Sequence, residues 1–222
     1  MQSLIFTWKR KDQVDSHEGQ HTQHLYADRP ADVAQTAVYV CAGKLVVIPT
    51  DTVYGVGCHA LDDAAIRRLY QVKQRLLYKA IPVLLADIAD LEKVSFPVSP
   101  TVQQYIAQYW PGALTIVLPK RPGLPPALSP DDTIAVRIPN HKAARAVIRA
   151  AGGAMAVTSA NLSGQPPAQT AEQAMAQLGG LVTAVLDDGP SSMGQASTVI
   201  DCTGTAPVIL RQGPVVIDEN GY

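Results

Sequence analysis

Short runs of apolar, often β-branched residues alternate with amphipathic stretches along most of this chain, and that alternation leaves few architectures open. Residues 45–48 form a continuous apolar run ended by Pro49, and similar runs recur at 81–85, 114–118, 133–138, 155–158, 184–187, 198–201 and 208–211. Runs of this length read as buried strands. Between them, residues 31–42, 62–74, 101–109, 141–151 and 170–178 carry helical periodicity, with a shorter helix near 87–94. In the 62–74 segment Ile66, Leu69 and Tyr70 make the apolar stripe, and Asp62 stands where a cap is needed. Strand and helix in alternation predict an α/β sheet with helices on its faces. The last three runs are joined by connections too short for crossover helices, so the sheet is expected to be mixed, parallel and antiparallel.

The 222 residues, 47% of them hydrophobic, suit one domain at 31–222. Residues 1–30 read as a polar, partly disordered lead-in after a short apolar piece, Leu4-Ile5-Phe6. His17, His21 and His24 in that stretch would share one face of a helix, a metal-site geometry lacking a fourth ligand; a solvated segment is the preferred reading. Eighteen Lys and Arg against 19 Asp and Glu exclude a chain-wide basic surface for nucleic acid but leave room for a local basic cavity. Cys41, Cys58 and Cys202 are scattered, odd in number and without a CxxC pair, which fits structural thiols in a reducing compartment. No leader-like h-region and no apolar stretch of about 20 residues is present, so a cytoplasmic protein without membrane contact is expected.

Two split doublets carry the chemistry. Lys73-Gln74-Arg75 supplies two cations, and Ser159-Ala160-Asn161 a hydroxyl and an amide, the kinds of group that polyphosphates and nucleobases require. Lys73 and Arg75 lie roughly 200° apart on an unbroken helix, so both reach one ligand only if the helix ends between them. Ser159 and Asn161 share a face if the backbone stays extended past Thr158, and Thr50 and Thr52 do so after Pro49. Each has a plainer reading: cations favoured at a helix C-terminus by its dipole, and Thr, Ser and Asn as turn formers. Arg137 resists such a reading. It shares a strand face with Thr133, opposite Ile134, Val136 and Ile138, and a buried arginine needs an anionic partner. That partner is a ligand carboxylate, or an aspartate such as Asp187 or Asp201. Gly55-Val56-Gly57-Cys58-His59-Ala60 satisfies GxGxxG/A, but it opens no helix and lacks the downstream acidic residue, so its glycines are assigned to a close backbone turn.

Taken in order, these segments resemble a known family. Pro49-Thr50-Asp51-Thr52-Val53-Tyr54-Gly55-Val56-Gly57 is similar to the PT(E/D)TVYGLG segment of the YrdC-like threonylcarbamoyl-AMP synthases. Lys73-x-Arg75, Trp110-Pro111-Gly112-x-x-Thr115, Val136-Arg137-x-Pro139, Ser159-Ala160-Asn161-x-Ser163-Gly164, Ser197-Thr198-Val199-x-Asp201 and Leu210-Arg211-x-Gly213 follow, spanning residues 31–213. The resemblance implies a twisted mixed sheet around a large basic cavity. It implies an ATP-dependent nucleotidyltransferase that joins L-threonine, bicarbonate and ATP into threonylcarbamoyl-AMP and pyrophosphate. Mg²⁺ would arrive on the ATP phosphates, and the product would pass to a tRNA threonylcarbamoyl transferase machinery. Thr52, Arg137 and Ser197 match the threonine-binding positions. Lys73, Arg75, Lys79, Thr133, Ser159, Asn161, Thr170 and Arg211 match the ATP-binding ones, with Gln169 a rival to Thr170 and with Lys73 and Arg75 as the catalytic cations. Leu76 and Ala80 stand where the family usually has proline, which weakens the placement of Lys79. A second reading makes the same concavity a surface for double-stranded RNA or tRNA, and a third gives the residues a structural role only.

Overall fold

The computed structural model describes residues 21–217; Leu4-Ile5-Phe6 and His17 lie outside them. In chain order the elements are β1 (Gln23–Tyr26), α1 (Pro30–Cys41), β2 (Val46–Ile48), β3 (Gly55–His59), α2 (Asp63–Lys73), β4 (Val83–Leu85), α3 (Pro100–Tyr109), β5 (Leu114–Pro119), β6 (Thr133–Arg137), α4 (Lys142–Ala150), β7 (Ala154–Ser159), α5 (Ala171–Leu178), β8 (Ala184–Asp187), β9 (Thr198–Asp201) and β10 (Val208–Arg211). A short 3-10 helix, Ile88–Lys93, follows β4. The strands form one sheet in the order β1-β8-β2-β3-β7-β4-β6-β5-β9-β10. Pairs β1–β8, β2–β8, β4–β6 and β5–β9 are parallel and the rest antiparallel, the mixed sheet that short connections between strands require.

Strand periodicity divides the core into two layers. Val46 and Ile48 of β2, Met155 and Val157 of β7 and Ala184 and Leu186 of β8 face α1 and α4, meeting Val40, Ala144, Val147 and Ile148. Val47, Val56, Ala156 and Val185, on the opposite face, meet Ile66 and Leu69 of α2, Ile106 of α3 and Leu178 of α5. Helices α1 and α4 pack against each other and cover β1, β2, β3, β8, β4 and β7. Over β5, β6 and β9 the residues on that same face are Thr115, Ala135, Arg137 and Val199, and there the sheet forms the floor of a cavity.

Two strands depart from the sequence expectations. Gly55 and Gly57 lie inside β3, paired with both β2 and β7, rather than in a turn. Their missing side chains seat the neighbouring strand: a Cβ on Gly57 would stand 2.5 Å from Ala156 O and 2.7 Å from a Val157 methyl. β1 is a polar edge strand, so its sequence carries no apolar run to announce it. His24 is therefore on a strand, not a helix face, and its Nε2 lies 2.9 Å from Asp187 Oδ2. Among the described residues no group of His, Cys, Asp or Glu could hold a metal, and no helix is long and apolar enough to cross a membrane.

Candidate functional site

The loop between β2 and β3 owes its shape to one hydroxyl. Thr50 Oγ1 donates to Val53 O (2.6 Å) and accepts from the Thr52 and Val53 amides (3.2 and 3.3 Å), closing a tight turn that buries Asp51 and Thr52. The hydroxyls of Thr50 and Thr52 end up 3.0 Å apart, on one side as expected. Arg137 extends from β6 to meet this turn. Its Nε donates to Gly112 O (2.8 Å), Nη1 to Thr52 Oγ1 (2.7 Å), and Nη2 to Asp51 Oδ1. The acidic partner is thus Asp51, not Asp187 or Asp201. Asp187 accepts from His24 and Tyr54, and Asp201 accepts from Thr203. A guanidinium has five N–H donors, and three bonds leave one on each terminal nitrogen.

Around Arg137 lies a cavity of about 370 Å³. Thr52, Tyr54, Thr115, Ser159, Ser197 and the arginines Arg75, Arg137 and Arg211 line it, and among the described residues no carboxylate does. These three arginines belong to a chain of net charge −1. Ser197 Oγ is 2.8 Å from Thr115 Oγ1, and Arg211 grips Ser197 by donating from Nε and Nη2 to its carbonyl (3.0 and 2.8 Å). Gly213 makes this possible: a Cβ there would lie 2.4 Å from Thr198 N and 2.5 Å from Ala196 O, so only glycine lets the chain cross so closely behind Ser197. Burial pushes the Tyr54 phenol up, keeping it protonated while it donates to Gly189 O (2.6 Å).

The two doublets do come together. Helix α2 ends at Lys73, Gln74 takes a left-handed conformation (φ 52°), and Arg75 emerges in a new direction. Arg75 lines the cavity, its Nη2 donating to Ala80 O (2.9 Å) and its Nε to Lys79 O (3.2 Å). Lys73 instead points inward, 1% exposed, and donates to Ser159 O, Asn161 O (2.7 Å) and Asn161 Oδ1 (3.1 Å). Those three acceptors match the three donors of an ammonium. Burial pushes Lys73 down to about 7, with the charge on Arg75 adding to the effect. Ser159 Oγ donates to Asn161 Oδ1 (2.5 Å), so the pair does share a face.

Lys73 and Asn161 are accordingly absent from the cavity wall, as are three further expected residues. Thr133 Oγ1 donates to Asp131 Oδ1 (2.6 Å) at the start of β6, two residues short of the wall that Ala135 begins. Thr170 caps α5, accepting from Gln173 N, and faces a separate hollow beside Tyr26, Asp28 and Asp187; its rival Gln169 donates to Gly194 O. Lys79 is exposed on the loop that carries Leu76, Leu77 and Tyr78 outward. Asp51 and Thr115 were not among the expected site residues. The signal for Thr115 was a polar residue amid the apolar run of β5.

This arrangement has counterparts among known proteins. The family model Sua5_yciO_yrdC, described as telomere recombination, matches residues 39–213. The chain belongs to the Sua5/YciO/YrdC family. A Bacillus subtilis relative named threonylcarbamoyl-AMP synthase is 36% identical over 203 residues, covering 89% of this chain and 58% of its own length. An Idiomarina loihiensis relative of the same name is 32% identical over 176 residues, covering 77% of this chain and 94% of its own. The crystal structure of P. abyssi Sua5 complexed with L-threonine superposes with a TM-score of 0.83 at 33% identity, covering 86% of this chain and 57% of that one. The chain thus spans little more than half the length of some family members and nearly all of others. Its mixed sheet with covering helices matches the fold of that solved relative.

Proposed function

We propose that this chain is a threonylcarbamoyl-AMP synthase, joining L-threonine, bicarbonate or CO₂, and ATP into threonylcarbamoyl-AMP and pyrophosphate. The observation that carries the reading is Arg137, which lines the cavity together with Thr52 and Ser197 and keeps one N–H on each terminal nitrogen without an acceptor among the described residues. Two such donors on one guanidinium suit the two oxygens of an amino-acid carboxylate. A relative in this family has been crystallised with L-threonine, and relatives carry the synthase name. The hydroxyls of Ser197 and Thr115, joined to each other, are placed to meet the polar end of a small amino acid.

The reaction needs a carbamate and a leaving pyrophosphate. The threonine nitrogen attacks the carbon of CO₂ and loses a proton to solvent. A carbamate oxygen then attacks the α-phosphorus, and the bond to the β-phosphate oxygen breaks. Arg75 and Arg211 are the cavity's remaining cations and would stabilise the charge that shifts onto the phosphates. Ser159, on the same cavity wall, would touch the nucleotide. Lys73 contributes by holding the Ser159–Asn161 turn from behind. Among the described residues no carboxylate and no histidine lines the cavity, so positioning and electrostatics would supply the rate, with proximity alone worth about 7–11 kcal/mol. The residues present offer no carboxylate for Mg²⁺, which would enter held by the ATP phosphates, and no step here is assigned to it. The mixed anhydride formed is a reactive acyl donor suited to a transferase acting on tRNA.

Pyrophosphate release by the purified protein tests this directly. It should require L-threonine and bicarbonate together; ATP turnover indifferent to threonine would sink the reading. Steeply salt-sensitive RNA binding without turnover would favour the nucleic-acid reading instead.

A further inference from the structure

Asp51 is buried with Arg137, the two side chains 4% and 5% exposed. A counter-ion whose task is to neutralise a guanidinium usually takes it with both oxygens. Asp51 does not. Only Oδ1 accepts, from Nη2, and Oδ2 is buried without a hydrogen-bond partner. A bidentate grip would occupy the donors that the cavity face needs. The one-point contact, with Thr52 on Nη1 and Gly112 on Nε, instead fixes the guanidinium plane from three sides and leaves one N–H on each terminal nitrogen free. The same residue ties down the loop leading to Ser197: its carbonyl accepts from Ser192 Oγ (3.0 Å) and Met193 N (3.1 Å).

We infer that Asp51 is the positioning residue for amino-acid recognition, its side chain orienting Arg137 so that one carboxylate is met by two donors. The inference rests on the reading that the cavity takes L-threonine. Asp51 acts through Arg137 and touches no substrate, so its loss should weaken threonine binding equally in the ground and transition states.

The test uses the full-length chain with Asp51→Ser, too short to reach Nη2, Asp51→Asn, which keeps an acceptor but no charge, and Asp51→Glu, the residue the family motif also allows. Each is first required to show the thermal shift that ATP gives the wild type. Asp51→Ser should raise the threonine KM about tenfold or more, leaving kcat and the ATP KM within about threefold. Asp51→Asn and Asp51→Glu should stay within about threefold of wild type in every constant. In an Arg137→Met background, Asp51→Ser should change threonine dependence no further. A wild-type threonine KM in Asp51→Ser overturns the inference. So do threonine and ATP constants that rise together, or an Asn variant as impaired as Ser. Should Asp51→Ser fail the ATP shift, Asp51→Leu, also without an acceptor, is scored by the same criteria, and failure of both to fold assigns Asp51 to the fold instead. A wild type without threonine-dependent turnover refutes the parent reading, a result distinct from any of these.

Discussion

Replacing Lys73 with methionine, which keeps the length of the side chain and removes its charge, should change how the stability of this protein depends on pH. Lys73 is 1% exposed and burial pushes its ammonium from 10.5 down to about 7. Between those values the unfolded chain binds a proton that the native chain does not, so wild-type stability rises with pH across that window. The slope is about 1.4 kcal/mol per pH unit, or about 4 kcal/mol between pH 7 and 10. Below pH 7 both states are protonated and the contribution is flat, with the full cost of burying the charge present. The methionine variant has no such group; Ser159 O keeps the Asn161 amide and Asn161 Oδ1 keeps the Ser159 hydroxyl, so Asn161 O is the acceptor left buried and unpaired, at about 1–3 kcal/mol. Denaturant titrations of both proteins at pH 7, 8, 9 and 10, at constant ionic strength, isolate the difference. Wild type should gain on the variant with every step. A gap that stays constant to within about 0.5 kcal/mol, or narrows, would mean that Lys73 remains charged in the fold, and the account of a near-neutral lysine behind the cavity would be wrong.

Further outcomes follow from single contacts. Gly213→Ala should abolish the threonine-induced thermal shift, because a Cβ 2.4 Å from Thr198 N forces apart the crossing that seats Ser197; an unaltered shift would free Ser197 from that role. Gly57→Ala should cost about 1–3 kcal/mol in denaturant unfolding, since the atoms in its way include the Ala156 carbonyl of a paired strand. Asp62→Ala should cost about 1 kcal/mol by removing the cap bond from Ala65 N (2.9 Å), with threonine and ATP dependence unchanged. Arg211→Met should reduce ATP-dependent turnover and also loosen Ser197, so threonine and ATP constants should both worsen, in contrast to Asp51→Ser.

Much of this molecule could be read in advance where burial dictates residue type. The apolar run ending at Ile48, the cap at Asp62 and the β6 alternation that separates Arg137 from Ile134 and Val136 all appear in the structure as the sequence reading anticipated. The helix end between Lys73 and Arg75 was also legible, because two cations about 200° apart demand it. What was hidden depends on partners far away in sequence. Gly55 and Gly57 look like turn glycines, and only the side of Val157 shows why a central strand carries them. Strand β1 is polar because it sits at a sheet edge, and edge position is a property of topology. Thr133 and Thr170 carry hydroxyls that bond Asp131 and cap α5 in the fold, local partners that composition does not announce. Asp51 sat inside a motif already noted, yet its use by Arg137 spans 86 positions and no local pattern encodes it.

The crossing at Gly213 has a consequence for how the protein comes into being. Thr198 Oγ1 receives the Gly213 and Val215 amides and donates to Val215 O, and Arg211 clasps Ser197, so the last described stretch of chain fastens the cavity wall from behind. A ribosome delivers Thr52 and Arg75 early and Arg137 midway, but the wall cannot lock until residues beyond 213 have cleared the exit tunnel. The wall that carries Ser197 is therefore the last part of the cavity to close, after strands β1 to β9 have been made.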